Sequence, residues 1–450
     1  MEMSNVSSSS DPWALDYIGA TEAWDISTGS KRVSVAIIDT GVDALHPDLD
    51  DNFDLYSYSS SFDTLYSVNS DIDAYPGGHG TQVAGIIGAE GDNNADVSGV
   101  CQNVDLVSLS YYVPSTPLYL ATSYAVNHSI QKSIPIINFS SNFNYSDSTF
   151  EQSIRSYSGL FVCAAGNESL DIDLNNSNKR YPSSYENIDN LISVGSINSS
   201  GQISSFSNYG ADSVDLFAPG ENIYTTDLSP SGYGDFSLTS SAAPLVAGTA
   251  ALLKSTNPVL SACQIKDAIM DNVTHSTNLI GKCVSGGRLN TYAAALSVIP
   301  TLSGSSDRNI DDDSYNWEKF NVASPSTHSF SLNGISGLTM TLTSNPTSNA
   351  TILETSTIQT GQTSTSFSHL FPSSGTYYIK VSNPSTNYTS YTLSKSFVSF
   401  HYHSFTGPKV YIDNDYHGVP CECGEYGNIM PHICKPQNPH LCIQCGGSIL

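Results

Sequence analysis

The stretch Val33-Ser-Val-Ala-Ile-Ile-Asp39-Thr-Gly41 is an apolar, β-branched run that ends in a carboxylate and a glycine. An apolar run with little polar alternation is typical of a strand buried on both faces of a parallel sheet. A carboxylate directly after such a strand lies where open α/β sheets place their functional sites, although an aspartate there also serves as a turn or cap residue. Asp39 is therefore the first candidate site residue.

Further apolar runs follow along the chain and alternate with helical patterns. The runs cover residues 104–109, 134–139, 160–165, 191–194 and 214–217, and residues 118–130 show helical spacing. Strands that alternate with helices in this way indicate βαβ units. The sequence therefore predicts an α/β fold, a parallel sheet with helices on both faces.

Two more polar residues stand at the ends of these elements. His79 opens the run His79-Gly-Thr-Gln-Val-Ala-Gly85, whose apolar residues recur at helical spacing, and Asn167 follows the run 160–165. Alone, the histidine has an ordinary explanation as a cap and the asparagine as a turn residue. Together with Asp39 they form a candidate site, in which the Asn167 amide is a plausible oxyanion donor.

Ser240 lies in Leu238-Thr-Ser-Ser-Ala-Ala-Pro244, a turn of small residues before a helical run predicted over 244–254. Unpaired N–H groups and the positive end of the dipole at a helix N-terminus stabilise an oxyanion beside such a serine. The chain order is Asp, His, Ser, and no Gly-x-Ser-x-Gly turn is present, which excludes an α/β-hydrolase triad.

Three motifs make residues 11–299 resemble the subtilisin-like serine proteases, or subtilases. They are Asp39-Thr-Gly-Val-Asp43 followed by His46-Pro-Asp48, His79-Gly-Thr-Gln-Val-Ala-Gly85, and Thr239-Ser-Ser-Ala-Ala-Pro244, with supporting matches at Ala164-Ala-Gly-Asn167 and Asp215-Leu-Phe-Ala-Pro-Gly220. The resemblance implies a serine endopeptidase that acts on proteins or peptides, with Asp39, His79 and Ser240 as catalytic triad. It implies Asn167 as oxyanion donor and no organic cofactor.

The sequence departs from the subtilase pattern near the nucleophile and in the substrate-binding segment. Leu238 stands where the family usually has glycine, and Phe139-Ser-Ser-Asn-Phe143 stands where it usually has Ser-Leu-Gly-Gly. Ser140 and Ser141 remain candidates to pair an extended substrate through backbone hydrogen bonds. These departures leave a second hypothesis open, a catalytically inactive subtilase-like binding or structural protein.

Calcium is a further ligand that the resemblance implies. Many subtilases bind it through an aspartate that matches Asp48 and a loop that matches Asp92-Asn93-Asn94, whose Asp and Asn oxygens suit a hard cation. A solvated acidic turn in an acidic protein is the alternative explanation.

Beyond the peptidase-like region, the composition changes to Ser, Thr and Asn with short alternating runs. Period-two alternation between turn residues predicts a β-sandwich over residues 300–399. Its end, Gly375-Thr-Tyr-Tyr-Ile-Lys-Val-Ser-Asn383, resembles bacterial pre-peptidase C-terminal domains, accessory domains that follow secreted peptidases. We expect this domain either to stabilise or target the protease or to be passive.

Residues 400–450 form a small tail rich in cysteine and histidine. A Cys-x2-Cys pair followed by glycine clamps tetrahedral zinc in many proteins, and a second close pair with a histidine supplies enough ligands. Paired disulfides or free thiols would explain the same cysteines. The zinc hypothesis names Cys421, Cys423, His432, Cys442 and Cys445.

Composition limits the partners and the location. The net charge is −26, from 42 acidic and 16 basic residues, which argues against nucleic acid because little neutralises phosphates. No run approaches the roughly 18 apolar residues of a transmembrane helix. Residues 1–10 are expected to be a disordered lead without the features of a signal peptide, although the resemblance favours a secreted or cell-surface protein.

Overall fold

The computed structural model describes residues 13–53, 77–93, 95–111, 118–312 and 314–398, together with four short strands between residues 401 and 442. The chain divides into two compact units. The first comprises residues 1–300 with 346–349, and the second comprises residues 301–345 with 350–450.

An eight-stranded sheet forms the centre of the first unit. Its strands lie in the order β2-β1-β3-β4-β5-β6-β10-β9, and a hairpin of β7 and β8 stands apart from it. The strands are β1 Gly29–Asp39, β2 Asn103–Ser110, β3 Ile136–Phe139, β4 Leu160–Ala164, β5 Leu191–Ile197, β6 Leu216–Pro219, β7 Ile223–Thr226, β8 Tyr233–Phe236, β9 Thr274–His275 and β10 Gly287–Arg288. All neighbours in the sheet pair in parallel except β10 and β9. The carboxyl ends of β1, β3 and β4 therefore meet at one edge of the sheet.

Helices flank this sheet. They are α1 Trp13–Tyr17, α2 Ala20–Ala23, α3 His79–Gly88, α4 Leu118–Lys132, α5 Ser148–Ser156, α6 Thr239–Thr256, α7 Ala262–Met270 and α8 Thr291–Val298, and a 3-10 turn covers Asp50–Asn52. The central helix α6 packs against β1 and against β3 to β6, and nearly all of its residues are buried. Within the described residues, no helix is long and apolar enough to cross a membrane.

The predicted parallel sheet with flanking helices is confirmed, but the predicted start of the last large helix is wrong. The helix was expected over 244–254, and α6 begins at Thr239 with Pro244 inside it. A proline inside a helix removes one backbone hydrogen bond. The helix continues through Pro244 because the carbonyl left without that bond finds another donor, which belongs to the candidate site described below.

The second unit contains two four-stranded antiparallel sheets, in the orders β11-β18-β13-β16 and β12-β17-β14-β15. The strands are β11 Ser305–Ile310, β12 Ser314–Val322, β13 Ser326–Asn333, β14 Thr339–Thr343, β15 Ile352–Thr357, β16 Ser364–Phe371, β17 Gly375–Asn383 and β18 Thr389–Val398. Alternate residues of both sheets, such as Phe330, Met340 and Leu393, form one apolar core. Antiparallel sheets follow the peptidase-like region as the sequence predicted.

The described residues of the tail form two small strand pairs, His401–Tyr402 with Leu441–Cys442 and Val410–Asp413 with Tyr416–Gly418. The predicted lead of residues 1–10 lies outside the described residues.

Candidate active site

Asp39 and His79 form a close pair at the carboxyl edge of the sheet. Asp39 is the last residue of β1 and is 1% exposed, whereas His79 is the first residue of α3 and its side chain is 23% exposed. The His79 Nδ1–H donates to Asp39 Oδ1 over 2.7 Å, and the Thr40 N–H donates to the same oxygen over 2.8 Å. This bond leaves Nε2 as the nitrogen of His79 that can act as a base.

The two motifs that carry Asp39 and His79 are joined directly. A Cβ on Gly80 would lie 1.9 Å from the Gly41 carbonyl oxygen, so only glycine allows α3 to begin this close to the end of β1. The Gly80 N–H donates to Thr40 Oγ1 over 3.1 Å, and the Asp43 N–H donates to Thr81 Oγ1 over 3.0 Å. These contacts fix the histidine relative to the aspartate.

Ser240 is the second residue of α6 and is 4% exposed. At this position its backbone N–H has no acceptor within the helix, because the first N–H groups of any helix lack one. The Ser240 Oγ–H donates to the Ser140 carbonyl oxygen over 3.0 Å. Its N–H is therefore a second candidate donor for an oxyanion, beside the Asn167 amide.

The Asn167 amide is oriented by the residue that precedes Ser240. Asn167 Oδ1 accepts hydrogen bonds from the Thr239 N–H over 2.9 Å and from Thr239 Oγ1 over 2.8 Å. Because both bonds fix the oxygen end, the Nδ2 group is the donor end of a fixed amide plane. Gly166 allows the turn before Asn167, since its φ is +105° and a Cβ there would lie 2.4 Å from Asn208 Nδ2.

Two residues near the site were not singled out from the sequence. Thr239 Oγ1 accepts from the Gly166 N–H over 3.2 Å in addition to its bond to Asn167. The Phe236 ring packs edge-on against the His79 ring with centroids 5.3 Å apart. A hydroxyl directly before Ser240 was the signal available for Thr239, whereas the contact of Phe236 depends on the β7–β8 hairpin and left no local pattern.

Leu238 adopts a backbone conformation that glycine normally occupies. Its φ is 117° and its ψ is 172°, and the residue is 37% exposed. The Leu238 N–H donates to the Gly220 carbonyl over 2.9 Å, and its carbonyl accepts from the Ser241 N–H and from Ser241 Oγ. Hydrogen bonds on both sides thus hold the residue in a region that is costly for a side chain with a Cβ.

Ser140 and Ser141, the candidate substrate-binding residues, follow β3 at the same edge. Ser140 is 2% exposed and Ser141 is partly exposed. Two residues further on, Phe143 pairs with Tyr181 through reciprocal backbone hydrogen bonds of 2.7 and 2.8 Å.

The calcium candidates Asp48 and Asn93 are in contact, but the groups that face the Asp48 carboxylate are N–H donors and not oxygen ligands. Asn93 Nδ2 donates to Asp48 Oδ1 over 2.7 Å, the Val97 N–H donates to Oδ2 over 3.3 Å, and Asn93 Oδ1 accepts from the Ala95 N–H. Burial raises the pKa of Asp48, and these hydrogen bonds oppose the shift. With N–H groups on both carboxylate oxygens, this arrangement does not fit a bound calcium ion.

Asn94, the third calcium candidate, lies outside the described residues, as do Cys421, Cys423, His432 and Cys445 of the zinc hypothesis. Cys442 lies on a described short strand, and only its backbone is described. Within the part of the chain that the structure describes, no group of three or more His, Cys, Asp or Glu side chains is arranged to hold a metal ion.

Comparison with known sequences gives one family and several relatives. A profile of the Subtilase family matches residues 30–292. Subtilisin DY of Bacillus licheniformis is 33% identical over 288 residues, which cover 63% of this chain and 98% of that protein. Subtilisin-like protease 2 of Plasmodium falciparum is 33% identical over 259 residues, which cover 54% of this chain but only 19% of that longer protein.

Two solved structures are similar in fold to about two thirds of this chain. MycP1 from Mycobacterium smegmatis matches with a TM-score of 0.51 and 25% identity, over 66% of this chain and 86% of that one. The nisin leader peptidase NisP from Lactococcus lactis matches with a TM-score of 0.52 at 23% identity, over 63% of this chain. The second likeness concerns the fold alone.

Proposed function

The chain belongs to the subtilase family, and on that premise we propose that it is a serine endopeptidase with Asp39, His79 and Ser240 as its catalytic triad. The observation that carries the proposal is the 2.7 Å bond between His79 Nδ1 and Asp39 Oδ1, at the sheet edge near the first turn of α6, which contains Ser240. One relative named above, Subtilisin-like protease 2, is a protease by name, and nothing in the comparisons favours the inactive alternative.

In the proposed reaction, His79 Nε2 takes the proton of the Ser240 hydroxyl while Oγ attacks the carbonyl carbon of a peptide bond. Asp39 holds the imidazole in the tautomer with the proton on Nδ1 and stabilises the imidazolium that forms, without accepting the proton. His79 then protonates the leaving amine. The remaining acyl-enzyme is hydrolysed by water in the reverse sequence of proton transfers.

Two donors are proposed to bind the oxyanion of the tetrahedral intermediate. They are the Asn167 Nδ2 group, in the amide plane fixed by Thr239, and the Ser240 N–H at the start of α6. Donors that are already oriented stabilise charge without reorganising, and losing one reduces the rate by about 100- to 1,000-fold. Backbone groups of Ser140 and Ser141 are proposed to pair an extended substrate.

The β-sandwich and the tail have no proposed part in the reaction. We propose an accessory role for the β-sandwich, either in stabilising or in targeting the peptidase unit. Zinc binding by the tail cysteines and His432 stays a prediction. No reaction step depends on either, since the three triad side chains and Asn167 all come from the first unit.

The experiment is labelling with a fluorophosphonate, which reacts with activated serines, followed by peptide mapping of the adduct. We expect the wild-type chain to be labelled at Ser240 at neutral pH, and Ser240→Ala to abolish labelling and hydrolysis of a denatured protein substrate. Ser129→Ala, which alters a fully buried serine on α4, is the control and keeps both. An unlabelled wild-type chain, or label that persists in Ser240→Ala, contradicts the proposal.

A further inference from the structure

The Ser140 hydroxyl lies in a buried chain of hydrogen bonds that ends on the backbone of Ser240. Asn138 Nδ2 donates to Ser140 Oγ over 2.9 Å, and Ser140 Oγ–H donates to the Ser240 carbonyl oxygen over 3.0 Å. Asn138 is 0% exposed and Ser140 is 2% exposed. The side chain of Ser140 is therefore directed at the helix that carries the nucleophile and is not available to a substrate.

Pro244 explains why this bond is needed. In an α-helix, the carbonyl of one residue accepts from the N–H of the residue four positions later. For Ser240 that residue is Pro244, which has no N–H. The Ser140 hydroxyl supplies the missing donor, so that a buried carbonyl is satisfied and α6 continues through the proline.

A second bond joins the same two residues in the opposite direction. The Ser240 Oγ–H donates to the Ser140 carbonyl oxygen over 3.0 Å. Ser240 is thus hydrogen-bonded to Ser140 twice, through its backbone carbonyl and through its hydroxyl. Small displacements matter here, because a reacting group that is misplaced by about 1 Å reduces the rate by about 100-fold.

We infer that Ser140 is a positioning residue, whose hydroxyl, oriented by Asn138, fixes the backbone of Ser240 and with it the nucleophilic oxygen and the N–H that faces the oxyanion. The inference rests on the proposed peptidase function. It differs from binding the substrate, because it acts through the side chain of Ser140 and predicts a loss in the chemical step.

The experiment measures kcat and KM for a peptide substrate in four variants. Ser140→Ala leaves the Ser240 carbonyl without a donor, and we expect kcat to fall about 10- to 100-fold while KM stays near the wild-type value. Pro244→Ala returns an N–H to the helix. In the double variant Ser140→Ala/Pro244→Ala we expect most of kcat to return, whereas Pro244→Ala alone changes kcat little.

Ser129→Ala is the matched control for stability. Ser129 is also buried and its Oγ donates to a carbonyl of its own helix, Ala125, over 3.0 Å. Thermal unfolding of both single variants shows whether they lose similar stability. A merely structural Ser140 would give similar losses of stability and no selective loss of kcat.

Three results would overturn the inference: wild-type kcat in Ser140→Ala, a change confined to KM, or a loss of kcat that Pro244→Ala does not reverse in a folded double variant. Fluorophosphonate labelling of the wild-type chain separates these results from failure of the proposed function. If the wild-type chain is not labelled, the peptidase proposal and this inference both fail; if it is labelled, only the inference is at stake.

Discussion

The peptidase unit and the β-sandwich differ in where they carry energetically costly groups. In the first unit, Asp39 is 1% exposed and its Oδ2 has no hydrogen-bond partner among the described residues, and Leu238 holds a φ of 117°. Both lie in the candidate active site. In the second unit, Glu318 is also 1% exposed, and neither of its carboxylate oxygens accepts a hydrogen bond of normal geometry from a described residue.

In the first unit, the groups that destabilise the fold lie where the proposed chemistry takes place, whereas the buried Glu318 carboxylate of the second unit lies at no proposed site. Strain and unsatisfied charge collect at functional sites because the surrounding structure holds them there. Glu318 has no such explanation. It shares the inward face of β12 with Phe320 and Val322, both in the sandwich core. Burial raises its pKa, and the neighbouring Ser306 hydroxyl and Arg308 charge oppose the shift.

The largest expected effect is that of Asp39→Asn, which tests whether the buried carboxylate of the first unit serves catalysis. The amide disfavours the His79 tautomer that the reaction needs, and we expect kcat to fall about 10,000-fold. Because Oδ2 has no partner to lose, the free energy of unfolding should change little. Peptide hydrolysis and thermal unfolding measure the two quantities. A large loss of stability would show that the Asp39 carboxylate supports the fold as well as catalysis, and the contrast with Glu318 would fail.

The next effect is that of Glu318→Gln, which we expect to stabilise the sandwich by about 1–2 kcal/mol at neutral pH, because it removes a buried charge. Since the folded state binds the Glu318 proton more tightly than the unfolded state, the wild-type free energy of unfolding falls as pH rises above the unfolded value of about 4.3. The variant should lose this part of the slope.

Hydrogen exchange of β12 peptides between pH 4 and pH 8 would measure the stability of the sandwich in both chains. Peptide hydrolysis serves as control and should not change. If Glu318→Gln destabilises the sandwich at every pH, the carboxylate stabilises the folded state through its neighbours, and the contrast with Asp39 fails.

The smallest effect is that of Leu238→Gly, which tests whether the strain beside the nucleophile is real. Glycine adopts this φ without a Cβ clash, so we expect about 1 kcal/mol of added stability, or about 2 °C in melting temperature. Leu238→Ala keeps the strain but removes the exposed side chain, and should leave stability near the wild-type value. Equal melting temperatures for the glycine and alanine variants would show that the strain is negligible.

Much of the first unit could be predicted because its signals are local. The run 104–109 lies inside β2 and the run 160–165 covers β4, since strands buried on both faces need apolar residues throughout. The roles of Thr239 and of the Ser140 hydroxyl were not predictable in this way. Each depends on contacts with residues about 70 to 100 positions away in the chain.

The first residue of α6 could not be predicted from its local sequence. The small residues before Pro244 were interpreted as a turn, so the predicted start of the helix lies five residues too late. The helix begins earlier because the Ser140 hydroxyl donates to the Ser240 carbonyl, to which Pro244 cannot donate. Ser140 is distant in sequence, so the local pattern around Pro244 could not predict this hydrogen bond. In the second unit, alternation likewise predicted antiparallel strands over residues 300–399, but alternation assigns the faces of a strand and not its partners.

The position of α6 against five strands has a consequence for biosynthesis. Asp39 and His79 leave the ribosome well before Ser240, and the helix that carries Ser240 can pack only when β1 and β3 to β6 are present to receive it. Contacts this distant in sequence form late and slowly. With the proposed triad, hydrolysis requires the completed fold, and a nascent or partly unfolded chain would not cleave neighbouring proteins.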